Sequence, residues 1–282
     1  VGNTTFILRI LVWISLLSPL TACRDTGPPP LAEYDYANAV VTGRCETGTR
    51  AGQTGVTDGE AAGDGVRVHV RTPSNYDATF AHPLLLVYAA AGQSGLASER
   101  MTALTAAATG AGFVVVYADH RPLGIPSIEQ LATIPGAVAK KWCIDEKRVS
   151  VTGHSDGGTV ALALAVLDRT KQVPAAIAPS AAGWTGKDLE AYQCPAPLPV
   201  MIMHNRQDSV FPGWGAQTAA WWASCNRCDI AKKKSVGGEC LAYQQCAAGG
   251  ATLYCEGSGG HRDWPNFNRV LIEFLSHPEK FL

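Results

Sequence analysis

The chain carries almost no net charge. Lys and Arg total 23 against 24 Asp and Glu over 282 residues, a formal charge of −1. No basic field exists to hold nucleic acid or an anionic membrane surface non-specifically. Charged residues of both signs are sparse at 17%, while 46% of residues are hydrophobic; intrinsic disorder needs the opposite balance. The one basic run, Lys232-Lys233-Lys234, reads as a solvated loop. No internal repeat is visible, and the longest apolar run near the N-terminus, Ile10 to Leu20, falls short of the roughly 20 residues that cross a bilayer. These absences leave one large globular domain as the expected organisation.

What stands at the N-terminus has the form of an export signal. Arg9 precedes the run Ile10 to Leu20, and small residues follow it. Its end, Leu20-Thr21-Ala22-Cys23, resembles the lipobox of bacterial lipoproteins, which implies lipidation of Cys23; conventional cleavage is the alternative. The expected division is a signal with lipobox over 1–23, a Pro-rich tether over 24–38 and the main folded domain over 39–282. Of nine cysteines, setting aside Cys23 leaves eight. An exported chain meets an oxidising compartment, so up to four disulfides are expected, among 105 possible connectivities. Cys225 and Cys228 have CxxC spacing, but no second CxxC or ligand-spaced His accompanies them, so disulfides are expected over a metal site.

Strand-like and helix-like segments alternate along the rest. Val66 to Arg71 alternates with period two; Pro83 to Ala89 and Phe113 to Ala118 are continuous apolar runs, as in buried central strands. Further strands are expected at Arg148 to Thr152, Ala175 to Pro179, Leu198 to His204 and Ala251 to Tyr254. Helices are expected at Ala97 to Ala108, Ile128 to Trp142 with a break at Pro135-Gly136, Gly157 to Leu167, Gln217 to Ser224 and Asn266 to Ser276. This alternation predicts an α/β fold: a mostly parallel sheet with helices on both faces and a disulfide-rich C-terminal part. Sites in such sheets form beyond the carboxyl ends of the strands.

One motif lies at such a place. Gly153-His154-Ser155-Asp156-Gly157 is G-x-S-x-G with a strand before it and a helix after, the setting of a nucleophile elbow in an α/β-hydrolase fold. A sharp turn there lifts the Ser155 hydroxyl clear of the sheet, and the helix N-terminus offers N–H groups to a developing oxyanion. A serine needs a base, and the base an acid to orient it. In this fold the order is Ser, acid, His. His261 lies in a Gly-flanked loop after the last strand; His204 fails the order, and His277 ends the last helix. Asp208 follows the strand Leu198 to His204; the rivals Asp229 and Asp263 lie respectively off any strand end and two residues from His261. The oxyanion donors are expected to be the N–H of Asp156 and of Ala91, with Ala90 next to it, in the loop after Pro83 to Ala89. Trp184, Trp214 and Trp264 each lie near a loop that should face Ser155, and are candidates for binding a planar or extended substrate.

The motifs GHSDGG, Trp142-Cys143-Ile144-Asp145, HNRQD, the Cys240/Tyr243/Cys246 cluster and YCEGSGGHRDWP resemble the polyhydroxybutyrate depolymerase/feruloyl esterase group of α/β-hydrolases, from about Val66 to the C-terminus. The resemblance implies an exported serine esterase with the triad Ser155, Asp208 and His261. That group carries His-Gly in the oxyanion loop where this chain has Ala89-Ala90. The expected activity is hydrolysis of hydroxycinnamate or short acyl esters without metal or cofactor, by a monomer that binds no nucleic acid and meets the membrane only through a lipid anchor. Polyester depolymerisation is the alternative, and an inert surface binding protein on the same fold a more distant one.

Overall fold

The computed structural model describes residues 30–282. The expected signal, Cys23 and residues 24–29 of the expected tether lie outside the described residues. Ten strands are described: β1 (Val56–Ala62), β2 (Val66–Arg71), β3 (His82–Tyr88), β4 (Val114–Ala118), β5 (Ile144–His154), β6 (Ala176–Ser180), β7 (Val200–Asn205), β8 (Asp229–Ser235), β9 (Cys240–Gln244) and β10 (Thr252–Gly257). They form one sheet in the order β1-β2-β4-β3-β5-β6-β7-β10-β9-β8. The run from β4 to β10 is parallel, and an antiparallel pair closes each side. The helices are α1 (Gly95–Thr102), α2 (Thr105–Gly110), α3 (Ile125–Leu131), α4 (Ile134–Ala139), α5 (Asp156–Val166), α6 (Gly186–Leu189), α7 (Trp214–Cys225) and α8 (Asn268–Ser276).

Side chains alternate across a strand, which sorts the central apolar runs into two cores. Leu84, Leu86 and Tyr88 of β3 join Val114 and Val116 of β4 beneath α3, α4, α5 and α7. Leu85, Val87, Val115 and Tyr117 point the other way, toward α2 and α8. Because both faces are covered, these strands read as unbroken apolar runs.

The structure refines several expectations. The helix expected over Ala97 to Ala108 is two, because Ala103 adopts a left-handed φ of 49°. The helix expected from Ile128 breaks at Ala132-Thr133, and Pro135 sits in the first turn of α4, where its missing N–H costs nothing. The Lys232–Lys234 run is an exposed edge strand, β8, and not a loop. Lysines at a sheet edge discourage pairing with another chain. Residues 32–38, expected in the tether, dock on the domain. The Ala32 N–H donates to Thr109 Oγ1, and Tyr36 takes the N–H of Asp77 while its hydroxyl meets His82 Nε2. All eight described cysteines pair, as Cys45–Cys143, Cys194–Cys225, Cys228–Cys246 and Cys240–Cys255. The two halves of the CxxC thus go to different partners.

Candidate active site

Strand register brings the three sequence-predicted residues to one edge. β5 ends at His154 and is flanked in parallel by β3 and β6, so Ser155 leaves the middle of the sheet. Its backbone has φ 55° and ψ −116°, a strained conformation of the kind that costs roughly 1–3 kcal/mol. The neighbouring glycines explain how the turn is accommodated. A Cβ on Gly157 would lie 2.0 Å from the Tyr88 carbonyl oxygen, and one on Gly158 2.4 Å from that of Ser180. Only hydrogen fits at either position.

β7 and β10 pair in parallel with Asn205 opposite Gly257, so the loops that follow them leave side by side. The Asn205 side chain then binds the carbonyls of Gly260 (2.9 Å) and Asp263 (2.7 Å), fixing the His261 loop. In consequence His261 Nδ1 lies 2.8 Å from Asp208 Oδ2, and His261 Nε2 lies 2.9 Å from Ser155 Oγ. Asp208 is only 2% exposed. Its other oxygen accepts the N–H groups of Val210 and Phe211, both at 2.9 Å. Burial pushes this carboxyl up, but the Phe211 N–H, the His261 imidazole and the Val210 N–H outweigh it and hold Asp208 below the usual carboxylate range. An ionised Asp208 fixes the Nδ1–H tautomer of His261 and leaves Nε2 to accept from the Ser155 hydroxyl. Asp263, the rival acid, accepts the N–H of Gly260 within its own loop.

Two residues around this relay, His154 and Phe211, were given no role by the sequence, and a third, His204, was set aside. His154 donates Nε2–H to the His261 carbonyl while Ser180 Oγ meets its Nδ1; burial pushes its pKa down, so the neutral ring acts as a brace. His204, set aside by chain order, lies behind the acid with Nε2 bound to the Phe211 carbonyl. Phe211 meets His261 in a T-shaped contact at 4.9 Å between ring centres and stacks on Trp214 at 4.6 Å. Of the three tryptophans, Trp214 reaches the relay through Phe211, and Trp264 stands near-perpendicular to His154 at 6.2 Å. Trp184 stacks on Tyr192 and packs against one core, whereas Trp264 packs against the other and ties the His261 loop to Asn268 of α8. In the loop after β3, the N–H of Ala89 is taken by the Ala118 carbonyl, while Ala91 is exposed at the turn.

Strand order, the turn at Ser155 and the helix behind it can be compared with known proteins. Residues 126–185, which contain β5, this turn and α5, match the model of the acetyl xylan esterase family. No curated protein matches the chain by sequence. An acetyl xylan esterase from Aspergillus awamori superposes with TM-score 0.57 at 14% identity, covering 79% of this chain and 99% of that one. An esterase from Thermogutta terrifontis, butyrate bound, does so with TM-score 0.52 at 13% identity, over 83% and 94%. The chain has the α/β-hydrolase fold. An S-formylglutathione hydrolase from Staphylococcus aureus shares this fold with TM-score 0.54 at 14% identity, over 80% of this chain and 98% of that one.

Proposed function

We propose that the protein is an exported serine carboxylic ester hydrolase. The observation that carries this reading is the series of contacts from Ser155 Oγ through His261 to buried Asp208, mounted on a strained turn at the carboxyl edge of the sheet. Ser155 attacks the ester carbonyl as His261 Nε2 takes its proton. Asp208 holds the imidazole tautomer and stabilises the imidazolium. The N–H groups of Asp156 and Ala91 receive the oxyanion. His261 then protonates the leaving alcohol, and water repeats the sequence on the acyl-enzyme. Four disulfides support export, and Leu20-Thr21-Ala22-Cys23 supports anchoring through a lipid on Cys23.

The substrate class is short acyl or hydroxycinnamoyl esters of a carbohydrate. Two observations support it: the likeness of 126–185 to acetyl xylan esterases, and the Phe211–Trp214 stack, whose aromatic surface beside His261 suits a planar ring. The motif resemblance to the polyhydroxybutyrate depolymerase/feruloyl esterase group accommodates the same chemistry. A panel of acetylated xylan, methyl ferulate, p-nitrophenyl acetate to octanoate and polyhydroxybutyrate film tests the reading. Turnover of the soluble or carbohydrate esters is expected. Clearing of film at enzyme levels that leave those esters untouched would replace it with polyester depolymerisation. Failure to label with a fluorophosphonate would instead indicate an inert scaffold.

A further inference from the structure

The segment after β4, Asp119-His120, touches both halves of the expected oxyanion site. Its main chain and that of Ala118 hold the loop after β3. The N–H of Ala89 donates to the Ala118 carbonyl (3.2 Å), and the N–H of His120 donates to the Gln93 carbonyl (3.1 Å). The N–H of Gly95 reaches Asp119 Oδ1 at 2.7 Å. Between these anchors the loop closes on itself through the Gln93 N–H to the Ala90 carbonyl (2.9 Å). The stretch around Ala91 is therefore suspended between fixed points at the end of β4 and in the two residues that follow it. The other half is Asp156, the first residue of α5. His120 Nε2 lies 3.1 Å from Asp156 Oδ2, with the two side chains 17% and 26% exposed. One residue thus grips the loop by its main chain and Asp156 by its imidazole.

Asp156 sets the chemical problem that this grip answers. Its N–H is the expected donor to the oxyanion, yet its carboxylate is a negative charge close to where another develops. The carboxylate also draws on the same positive end of α5. An imidazole donating to that carboxylate keeps it turned toward β4 and offsets its charge. We propose that His120 is a positioning residue that couples the Ala91 loop to Asp156 and relieves the charge of Asp156 where the oxyanion forms. The proposal rests on the ester-hydrolase reading given above.

The test compares wild type, His120→Ala and His120→Ala/Asp156→Asn on p-nitrophenyl butyrate. Affinity for a trifluoromethyl ketone, which forms a tetrahedral adduct with serine, is measured alongside. Outright loss of one oxyanion donor costs roughly 10²–10³ in kcat; misplacing it should cost less. His120→Ala should lower kcat roughly 10–100-fold with KM within about threefold, and weaken the ketone by a like factor. Removing the Asp156 charge in the double variant should restore kcat at least about tenfold over His120→Ala. An unchanged kcat, a loss confined to KM, or a double variant no better than the single would overturn the proposal. Should His120→Ala fail to fold, His120→Asn, polar but too short to span the gap to Asp156, is judged by the same criteria. Wild type that neither hydrolyses an ester nor labels with a fluorophosphonate would defeat the ester-hydrolase reading. Wild type that does both, with the His120 variant indistinguishable from it, would defeat this proposal alone.

Discussion

The hydroxyl of Ser155 stands at the end of the relay, so it can be removed while the His261–Asp208 contact stays in place. Ser155→Ala should cut kcat roughly 10⁴-fold or more with little change in thermal stability. A folded variant retaining a tenth of wild-type kcat would sink the assignment. Asp208→Asn keeps the shape but offers no ionised partner to Nδ1, and should cost about 10⁴ in kcat through the wrong tautomer; a loss of only a few-fold would mean that the Phe211 and Val210 N–H groups position the loop without the charge mattering. That Ser155, Asp208 and His261 meet was legible in the sequence, because each is a distinctive residue type just beyond a readable strand. His120, His154 and Phe211 were not. His120 reaches Asp156 across 36 residues and His154 reaches the His261 loop across 107, and neither contact leaves a local pattern. Phe211 is close to Asp208 in sequence, but an apolar residue in a loop gives no sign of the histidine it will meet.

Among elements, those that were legible are the buried ones. β2, β3, β4 and β7 announce themselves because burial on one or both faces selects apolar residues in a fixed rhythm. β1 and β8 lie at the two sheet edges, largely exposed, and burial writes no pattern into them. α1 is a different case. Arg71 of β2 is fully buried and makes a two-pronged contact with Glu99 of α1 at 2.8 and 2.7 Å, while Thr105 of α2 also donates to Glu99. The helix is therefore held through a charge and not through an apolar stripe, and nothing in the Ala-rich composition of Ala97 to Ala108 marks where α1 ends and α2 begins. Removing Glu99 leaves buried Arg71 with one carboxylate partner, Asp58 Oδ1 at 2.8 Å, so the cost should fall short of the about 3–5 kcal/mol of a fully uncompensated buried charge. Glu99→Ala should accordingly lower the urea unfolding free energy by about 1–3 kcal/mol and, because α1 follows the Ala91 loop, reduce esterase activity in the folded fraction. A change under about 1 kcal/mol would show that water replaces the carboxylate at no cost.

On the scale of the whole molecule, the chemistry is gathered at one edge of the sheet and the docked N-terminal segment at the other. Tyr36 binds His82, the first residue of β3, whereas Ser155 follows the last residue of β5. The described end of the expected tether, Ala32 to Asn38, meets the domain at the pole away from the site; if Cys23 carries a lipid, Cys23→Ser should release the protein from the membrane fraction without altering turnover in detergent. The two poles nevertheless share one titration. His82 is bound by the Gly112 carbonyl and Tyr36, His154 by the His261 carbonyl and Ser180, and His204 by the Phe211 carbonyl. Burial pushes all three below their usual value of 6.5. The unfolded chain then binds protons that the folded chain refuses. Stability is full above pH 6.5 and is lost as pH falls from there through the folded-state values, by about 1.4 kcal/mol per pH unit for each proton taken up. Asp208, held below its usual value of 3.8, adds a second loss at more acid pH. Urea unfolding should therefore give a constant free energy from pH 8 to 7 and a decline that steepens between 6.5 and 5. His82→Gln, remote from the relay, should flatten that decline by up to about one proton's worth. A profile level down to pH 5, or one that His82→Gln leaves as steep as before, would mean that these rings accept protons in place.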